Sequence, residues 1–346
     1  MTSLRFDVLG IGNAIVDVIS QVEDDFLAHH QLNKGAMTLI DENRSHALLN
    51  AMGPRTIISG GSAANTIVGV ASFGLKASFI GKVKKDDVGE SFSHDIRSMG
   101  VHFNTANAID GPATAKSVIL VTPDGERTMN TYLGACQNLT SDDVDSELIQ
   151  SAGIIYLEGY LWDPPEAKKA FEKAAKIAHS AQRQVALTLS DSFCVDRYRE
   201  EFLGLMRSGS LDIIFANQHE LKSLYQTSDL DTAIRAIREE GVLAAVTLSE
   251  QGSIVITREE THKVPAVPID RLVDTTGAGD LYAAGFLSGL AKGAGLVDCA
   301  RLGAIAAAEI IQHYGARPQQ SLLNLMIRAF GQNQAGSGFG GRNIVL

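Results

Sequence analysis

Short apolar segments typical of buried β-strands alternate with helical patterns through most of this chain. The first strand-like segment, Phe6–Gly12, ends in a glycine turn, and the later ones are Ala77–Ile80, Ile154–Leu157, Val185–Leu189, Leu211–Phe215, Leu243–Leu248 and Ser253–Thr257. The helical patterns between them include Ala63–Phe73, Pro165–Ala181, Leu230–Glu240 and Leu281–Leu290. Strands alternating with helices predict an α/β fold with a largely parallel sheet covered on both faces.

Two stretches, Ile15–Ile40 and Val101–Ala135, depart from this rhythm because apolar and polar residues alternate in them with little helical pattern. Inside the second stretch, Pro123-Asp124-Gly125 has the chemistry of a tight turn, which predicts a β-hairpin. We therefore expect a small β-sheet, built from about 14–40 and 102–135, that projects from the main sheet. Such an appendage suits a lid, since a lid excludes water from a reacting phosphate.

The composition excludes several classes of protein. A net charge of −10 argues against broad contact with nucleic acid or anionic membranes. Cys136, Cys194 and Cys299 are widely spaced and odd in number, so neither a disulfide framework nor a zinc cluster is predicted. The N-terminus lacks the pattern of a secretory signal and no apolar run reaches membrane-spanning length, which predicts a cytoplasmic protein. The Gly-rich segment 336–346 is expected to be a flexible tail.

The segment Asp274-Thr275-Thr276-Gly277-Ala278-Gly279-Asp280 carries the most chemical information, because it is a turn that enters a helix. Unpaired N–H groups at the start of a helix lie at the positive end of its dipole, and glycines let an anion approach them closely. Asp280 would lie beside a phosphoryl group held there, and it could accept the proton of an attacking hydroxyl. The alternative is that Asp280 only caps the helix. The catalytic residues predicted in this segment are Asp280, Gly277, Ala278 and Gly279, and Arg127 is added to them below.

Four motifs in the order seen here resemble those of the ribokinase-like (PfkB) family of carbohydrate and nucleoside kinases. Asp274–Asp280 is similar to the family's C-terminal signature, and Gly60-Gly61-Ser62-Ala63-Ala64-Asn65-Thr66 is similar to its N-terminal one. Asn217-Gln218-His219-Glu220 resembles the N-x-x-E motif, and Thr247–Gly252 resembles the nucleotide loop. The resemblance extends to about Pro318. It implies a three-layer α/β/α kinase domain at 1–335 with a β-sheet lid, and an ATP-dependent phosphotransferase.

The resemblance also implies an acceptor site. In this family the residues at the positions of Asn13, Asp17, Gly60, Gly61 and Asn65 contact the acceptor's hydroxyl groups. Paired glycines bring the backbone close to a ligand, and a carboxamide can donate and accept at once. A carboxylate that accepts from two adjacent hydroxyls discriminates against an analogue lacking one. Taken without the family, the same residues could be a strand-to-helix turn, a loop asparagine and a surface aspartate.

A nucleotide and metal site follows from the same resemblance. Asn217 and Glu220 are expected to organise Mg²⁺ and its waters, since Mg²⁺ takes few protein ligands. Thr247, Ser249 and Gly252 are expected to border the ATP. Ser249 replaces the first glycine of the family's T-x-G pattern, which leaves open how the ribose and phosphates are held. The pattern from Asn217 to Glu220 is equally that of a capping box.

Arg127 follows the predicted lid turn, and an arginine near this position in the family reaches the transferring phosphates when the lid closes. A guanidinium suits phosphate oxygens, although an arginine beside a hairpin turn is often simply solvated. Asp274 and Thr276, with the region of Gly315, resemble a loop that binds a monovalent cation in many members. K⁺ is therefore a further expected cofactor beside ATP and Mg²⁺.

The acceptor is the least determined part of the prediction. Gly12–Asp17 and Tyr156–Leu161 most resemble adenosine kinases and bacterial nucleoside kinases, in which an aromatic residue at the place of Tyr160 lies against the purine. Met37 is expected to line the same pocket. The favoured reaction is phosphoryl transfer from ATP to the 5′-hydroxyl of adenosine. A sugar kinase acting on ribose, fructose or a keto-deoxy acid remains an alternative.

Other classes of function stay open on sequence grounds. A non-catalytic nucleoside- or sugar-binding regulatory protein could keep the fold, although Gly277–Asp280 is intact. A nicotinamide-dependent oxidoreductase is disfavoured because Ile15 stands where the G-x-G-x-x-G fingerprint has its third glycine. The expected partner is a small molecule, with no nucleic acid or membrane, and the chain is predicted to be a monomer or a homodimer.

Overall fold

The computed structural model describes residues 4–331, and the predicted tail 336–346 lies outside them. A main sheet of nine strands runs through the centre, and a second sheet has five strands. The strands of both sheets are numbered together in chain order. Its strands are β1 (Phe6–Ile11), β5 (Ala77–Ile80), β6 (Val101–Phe103), β9 (Ala152–Glu158), β10 (Gln184–Thr188), β11 (Ile213–Asn217), β12 (Leu243–Thr247), β13 (Ser253–Ile256) and β14 (Thr261–Val264). Their spatial order is β14-β13-β12-β11-β10-β9-β1-β5-β6. In the described part of this main sheet, only the pairings of β13 with its two neighbours are antiparallel.

Helices cover both faces of this sheet. On one face they are α3 (Ser62–Ser72), α4 (Asp87–Ser98), α10 (Ala278–Ala291), α11 (Leu296–Ile310) and α12 (Leu322–Gly331); on the other, α5 (Ser146–Gln150), α6 (Pro165–Ser180), α7 (Ser192–Arg207), α8 (Gln218–Leu224) and α9 (Leu230–Glu240). Successive strand residues point to opposite faces, so Val8 is buried in one core and Leu9 in the other. The predicted three-layer α/β/α fold is confirmed.

A second sheet of five strands projects from the first. It contains β2 (Ile15–Gln21), β3 (Met37–Leu39), β4 (Thr56–Gly60), β7 (Ala115–Val121) and β8 (Arg127–Tyr132), in the order β3-β8-β7-β2-β4. The predicted hairpin is present, because β7 and β8 pair antiparallel across the turn. Two short helices, α1 (Asp24–His29) and α2 (Glu42–Ala51), accompany these strands in the chain.

The boundaries of the small sheet differ from the sequence-based prediction at two places. Thr56–Gly60 forms an edge strand of this sheet that the prediction did not include. Val101–Phe103 belongs to the main sheet, although the predicted lid segment began at residue 102. The alternation of Val101 and Phe103 with a polar residue led to their assignment to the small sheet. In the structure both apolar side chains are buried beside β5 of the main sheet.

The carboxyl ends of the parallel strands lie at one edge of the main sheet, and this edge positions the site. Asn13 follows β1, Glu158 ends β9, Asn217 ends β11 and Thr247 ends β12. Ligands of open α/β sheets bind in the crevice outside these strand ends. No helix between residues 4 and 331 combines the length and the apolar character needed to cross a membrane.

Candidate active site

Asp280 lies in the first turn of α10, and its side chain is held by α3. The residue that caps α10 is Gly277, with a positive φ of 79°, so the alternative that Asp280 is the cap is wrong. Ser62 Oγ donates to Asp280 Oδ1 at 2.6 Å, and Asn65 Nδ2 donates to Asp280 Oδ2 at 2.9 Å. A Cβ on Gly277 would lie 2.8 Å from Ala316 Cβ, which explains why glycine stands there.

The N–H groups at the start of α10 are only partly free. The N–H of Ala278 donates to the carbonyl of Thr275 at 3.2 Å, so the prediction that it binds phosphoryl oxygens is wrong for this structure. The N–H groups of Gly279 and Asp280 have no acceptor among the described residues. Both residues line the large cavity described below. An anion in that cavity can therefore use these two donors and the positive end of the helix dipole.

The environment of Asp280 favours a proton acceptor. Burial raises the pKa of Asp280, while the bonds from Ser62 and Asn65 and the positive charge of Arg317 act in the opposite direction. A carboxylate with a raised pKa is a stronger base, and a general base works best when its pKa approaches the working pH.

The predicted acceptor residues lie where the two sheets join. Gly61 precedes α3 with a φ of 96°, and a Cβ there would overlap the carbonyl oxygen of Asn13. A Cβ on Gly60 would overlap the carboxylate of Asp17 on β2. Burial raises the pKa of Asp17 to about 6, although the charges of Arg317 and Arg127 lower it. The structure thus brings Asn13, Asp17, Gly60 and Gly61 together.

Two of these side chains are engaged by the protein itself. Asn13 Nδ2 donates to Glu158 Oε1 at 2.7 Å, which fixes the orientation of this amide group. Asn65 is buried and uses its Nδ2 on Asp280, while its Oδ1 is buried with no partner in the described part of the chain. Asn13 and Asn65 thus each bind a neighbouring carboxylate through Nδ2, and their contact with the acceptor's hydroxyl groups stays a prediction.

Glu158 is a site residue that the sequence-based prediction missed. Its carboxylate is buried and accepts from Asn13 Nδ2, from the N–H of Asn13 at 3.3 Å and from the N–H of Ala63 at 2.8 Å. It thereby joins the end of β1 to the start of α3. Burial raises the pKa of Glu158 to about 7, although these three bonds oppose the shift. The available signal was an acidic residue directly after the buried strand Ile154–Leu157.

We expect Glu158 to make folding stability depend on pH between about 4 and 7. In the unfolded chain a glutamate has a pKa of about 4.3. The folded protein therefore binds the proton of Glu158 more tightly than the unfolded chain does. The stability from protonated Glu158 is therefore fully present below about pH 4 and is lost as the pH rises to about 7. Asp17, with a pKa of about 6, and Glu220, with a pKa of about 7, act in the same direction.

Glu158→Gln should flatten this dependence by up to about 1.4 kcal/mol per pH unit. Urea denaturation of the wild type and the variant at several pH values measures the slope. Glu201→Gln is the matched control, because bonds from Lys168 and Trp162 outweigh the burial of Glu201 and lower its pKa. Above the ordinary glutamate pKa, Glu201 contributes a constant amount to the free energy of unfolding. The pH slope of Glu201→Gln should therefore equal that of the wild type. An unchanged slope in Glu158→Gln would contradict the assignment.

A cavity of about 710 Å³ is lined in part by Asp280 and Gly279. The predicted nucleotide residues Asn217, Thr247, Ser249 and Gly252 all line it, together with Glu220. One part of its wall is apolar and includes Ala266, Pro268, Leu272, Ala307 and Ile311. Cavities of this size with an apolar wall and a few convergent polar groups are typical ligand sites.

The loop after β12 has an unusual backbone. Ser249 begins a 3₁₀ turn with a φ of 54°, a left-handed conformation that favours glycine. This is the residue at which the chain departs from the family's glycine. Gly252 has a φ of 90°, and a Cβ there would overlap the carbonyl oxygen of Val264. The serine therefore occupies a backbone conformation suited to the family's residue.

Asn217 and Glu220 form the capping box that the sequence left as an alternative. Asn217 Oδ1 accepts from the N–H groups of His219 at 2.8 Å and Glu220 at 2.9 Å, and Glu220 Oε2 accepts from the N–H of Asn217 at 2.9 Å. Burial raises the pKa of Glu220 to about 7. The pair caps α8 and borders the cavity at the same time, so the two interpretations are compatible.

Arg127 crosses from the small sheet to the turn before α10. Its Nη1 lies 2.8 Å from Asp274 Oδ2 and 3.0 Å from Thr276 Oγ1, and the side chains of Arg127 and Asp274 are only 8% and 6% exposed. The other Asp274 oxygen accepts from the N–H and hydroxyl of Thr276. Arg127 is thus not solvated, and its guanidinium lies where the sequence predicted a monovalent cation. Its Nε and Nη2 are buried without a partner among residues 4–331.

Tyr160 and Met37, the predicted purine contacts, lie apart from the large cavity. Tyr160 is in a 3₁₀ turn directly after β9, is 39% exposed, and its N–H donates to Ser190 Oγ at 3.0 Å. Met37 lies opposite Met129 on the edge strand β3 and is 47% exposed. An edge strand leaves one side of Met37 open, so the structure does not show the shared pocket that the sequence predicted.

Comparison with known proteins gives consistent results across most of the chain. The profile of pfkB family carbohydrate kinases matches residues 40–322. Two solved structures, a probable sugar kinase from Rhizobium etli and an adenosine kinase from Sinorhizobium meliloti, are each 52% identical to this chain. Each alignment covers 94% of this chain and 99% of the other, with TM-scores of 0.89 and 0.88. Adenosine kinase 2 of Arabidopsis thaliana is 26% identical over 89% of this chain and 94% of its own length.

Proposed function

The chain belongs to the pfkB family of carbohydrate kinases, and on that premise we propose that it transfers the γ-phosphoryl group of ATP to the 5′-hydroxyl of adenosine. The observation that carries the proposal is the position of Asp280. Its carboxylate lies between the residues predicted to hold the acceptor and a cavity of about 710 Å³, beside the two free N–H groups of Gly279 and Asp280.

The reaction needs little covalent chemistry from the protein. The acceptor oxygen forms a bond to the γ-phosphorus, the bond from that phosphorus to the β–γ bridging oxygen breaks, and ADP leaves. The proton of the hydroxyl passes to Asp280. The N–H groups of Gly279 and Asp280, at the positive end of α10, stabilise negative charge on the phosphoryl oxygens. We infer that Arg127, with two buried donors free, turns them toward these oxygens when the small sheet closes as a lid.

The cavity wall fits a nucleotide with Mg²⁺. Its apolar part, with Pro268 and Ile311, suits a flat base, and its polar part contains Glu220 and Asn217. Within residues 4–331 no group of three or more His, Cys, Asp or Glu side chains could hold a metal alone, which suits a Mg²⁺ bound mainly by phosphates and water. When bound, Mg²⁺ neutralises phosphate charge. We propose that Glu220 and Asn217 hold its waters, and that Thr247, Ser249 and Gly252 border the nucleotide.

A guanidinium serves as the cation at the predicted monovalent site. Arg127 already supplies a positive charge to Asp274 and Thr276, so K⁺ would bind there only after Arg127 leaves. The protein is further proposed to be cytoplasmic, where ATP is supplied. Its state as a monomer or homodimer stays a prediction.

The acceptor is assigned to adenosine chiefly by the 52% identity to the Sinorhizobium meliloti adenosine kinase over nearly the whole chain. Tyr160, at the carboxyl end of β9, offers a partly exposed ring to a purine. A sugar kinase is the second candidate, because the probable sugar kinase from Rhizobium etli is equally identical. The two acceptors differ in the base, which only a nucleoside could stack on an aromatic ring.

A phosphorylation panel tests the proposed function. We expect ATP-dependent phosphorylation of adenosine at a kcat/KM at least about 10²-fold above that for ribose or fructose, since loss of the base removes several kcal/mol of contact. 2′-Deoxyadenosine should be a poorer acceptor than adenosine if Asp17 accepts from the ribose diol. Equal use of the two nucleosides would count against Asp17, and a preference for a sugar would replace the nucleoside assignment.

A further inference from the structure

Ser59, the residue before the paired glycines, is held by charged side chains of the main domain on two sides. Its N–H donates to Asp95 Oδ2 of α4 at 2.8 Å, and its hydroxyl donates to the same oxygen. Its carbonyl oxygen accepts from Arg317 Nε at 3.0 Å and from Arg317 Nη2 at 2.7 Å. Ser59 lies on β4 of the small sheet, so these bonds tie the end of β4 to the main domain.

The same guanidinium also holds the helix that carries the partners of Asp280. Arg317 Nη1 donates to the carbonyl oxygen of Ala64 at 3.0 Å. Ala64 lies in the first turn of α3, between Ser62 and Asn65, and those two side chains bind the carboxylate of Asp280. The position of Asp280 therefore depends on where the first turn of α3 is held.

The two residues before Arg317 contact the turn that leads into α10. The N–H of Gly315 donates to Asp274 Oδ2 at 3.0 Å. Ala316 packs against Gly277 so closely that a Cβ on Gly277 would lie 3.0 Å from Ala316 Cα. Three successive residues, 315–317, thus touch the Arg127–Asp274 pair, the start of α10, the start of α3 and the strand β4.

We propose that Arg317 is a positioning residue that fixes β4 of the small sheet and the first turn of α3 relative to Asp280, so that acceptor and base meet in one geometry. The inference rests on the proposed function, because it concerns the reaction at Asp280. A buried arginine with four donated bonds is well suited to this role, since its planar fork fixes several oxygen atoms at once.

Arg317 also supplies positive charge to the acceptor site. Its charge lowers the pKa values of both Asp17 and Asp280 against the effect of burial. The other titratable groups that face Asp280 come from β2, β9 and the turn after β9: Asp17, Tyr156, Glu158 and Tyr160. Arg127 of β8 acts on Asp17. Removal of Arg317 leaves mainly acidic neighbours, so Asp280 should hold its proton to a higher pH.

Two variants separate geometry from charge. In Arg317→Gln the kcat for adenosine should fall about 10–100-fold, because small displacements of reacting groups are costly. The acid limb of its pH–kcat/KM profile should move up by about 1 unit. Arg317→Lys keeps the charge without the fork, so its acid limb should stay near that of the wild type while kcat still falls. In both variants amide hydrogen exchange at Ser59 should become faster.

Arg199→Gln is the control, because Arg199 donates to Asp196 on α7 and to the carbonyl oxygen of Ser223 on α8, away from the site. It should leave kcat and the acid limb unchanged. A kcat within twofold of wild type in both Arg317 variants, or a loss of stability with an unmoved acid limb in Arg317→Gln, would overturn the proposal. If Arg317→Gln does not fold, Arg317→Lys alone tests the proposal. An unchanged kcat together with unchanged hydrogen exchange at Ser59 in Arg317→Lys would then refute it.

The outcome for the proposed function is read separately. A wild-type protein that phosphorylates no nucleoside would refute the adenosine assignment. Hydrogen exchange at Ser59 would still test the anchoring by Arg317, since that measurement needs no turnover.

Discussion

Asp280→Asn should lower the turnover of adenosine by about 10²–10⁴-fold, the usual contribution of general acid–base catalysis. The substitution keeps the size of the side chain and removes its ability to accept a proton. Ser62 can still donate to the remaining carbonyl oxygen. The buried Oδ1 of Asn65, which has no partner in the described structure, can accept from the new amide after Asn65 flips. The fold and adenosine binding should therefore be retained.

Single-turnover kinetics measures the expected loss of turnover, and calorimetric titration with adenosine measures the expected retention of binding. Asp298→Asn is the matched control, because Asp298 is the third residue of α11 just as Asp280 is the third residue of α10. It should keep wild-type turnover. Near-normal turnover in Asp280→Asn would remove Asp280 from the role of base, whereas a loss of adenosine binding would show that its role is structural.

Arg127→Ala should lower the free energy of unfolding by about 3–5 kcal/mol and make the protein dependent on a monovalent cation. The substitution leaves the buried carboxylate of Asp274 without its positive partner. Removing one member of a buried ion pair costs more than removing both, because the remaining charge is uncompensated. K⁺ can then enter beside Asp274 and Thr276, and binding to the folded state alone stabilises it.

Urea denaturation in KCl and in choline chloride at equal ionic strength measures this effect. Stability of Arg127→Ala should be higher in KCl, and that of the wild type should be the same in both salts. The double variant Arg127→Met with Asp274→Asn should lose less stability than Arg127→Ala, since it removes the charge pair together. Equal responses of wild type and Arg127→Ala to K⁺ would contradict the idea that the guanidinium takes the cation's place.

The catalytic turn shows how far local sequence can predict a site. Two glycines, small residues and an aspartate before an apolar helix predicted a helix start that leaves N–H groups free, and two such groups have no acceptor in the part of the chain that the structure describes. Local sequence did not reveal that Thr275 engages the N–H of Ala278. It also did not reveal that the aspartate is held by Ser62 and Asn65, which are more than 200 residues away in the chain.

Residues that act through charge and burial were the hardest to find. Glu158 lies within the segment Tyr156–Leu161, but neither that resemblance nor any local pattern assigned a role to Glu158 or to Arg317. Each is important because tertiary packing removes it from water and surrounds it with hydrogen-bond partners from other elements. The Arg127–Asp274 pair is similar, since its members are 147 positions apart and the sequence-based prediction assigned a phosphate to Arg127 and a monovalent cation to Asp274.

The alternation of strands and helices, the hairpin and the glycine-rich turns were determined by the sequence itself, because they depend on side-chain periodicity and on backbone conformations that few residues adopt. The tertiary structure alone decided which charges meet. Coulomb interactions and desolvation depend on distance and burial in three dimensions, and a chain order does not contain either. For this reason the fold and the place of Asp280 at the start of α10 could be predicted, whereas the buried contacts of Glu158 and Arg317 could not.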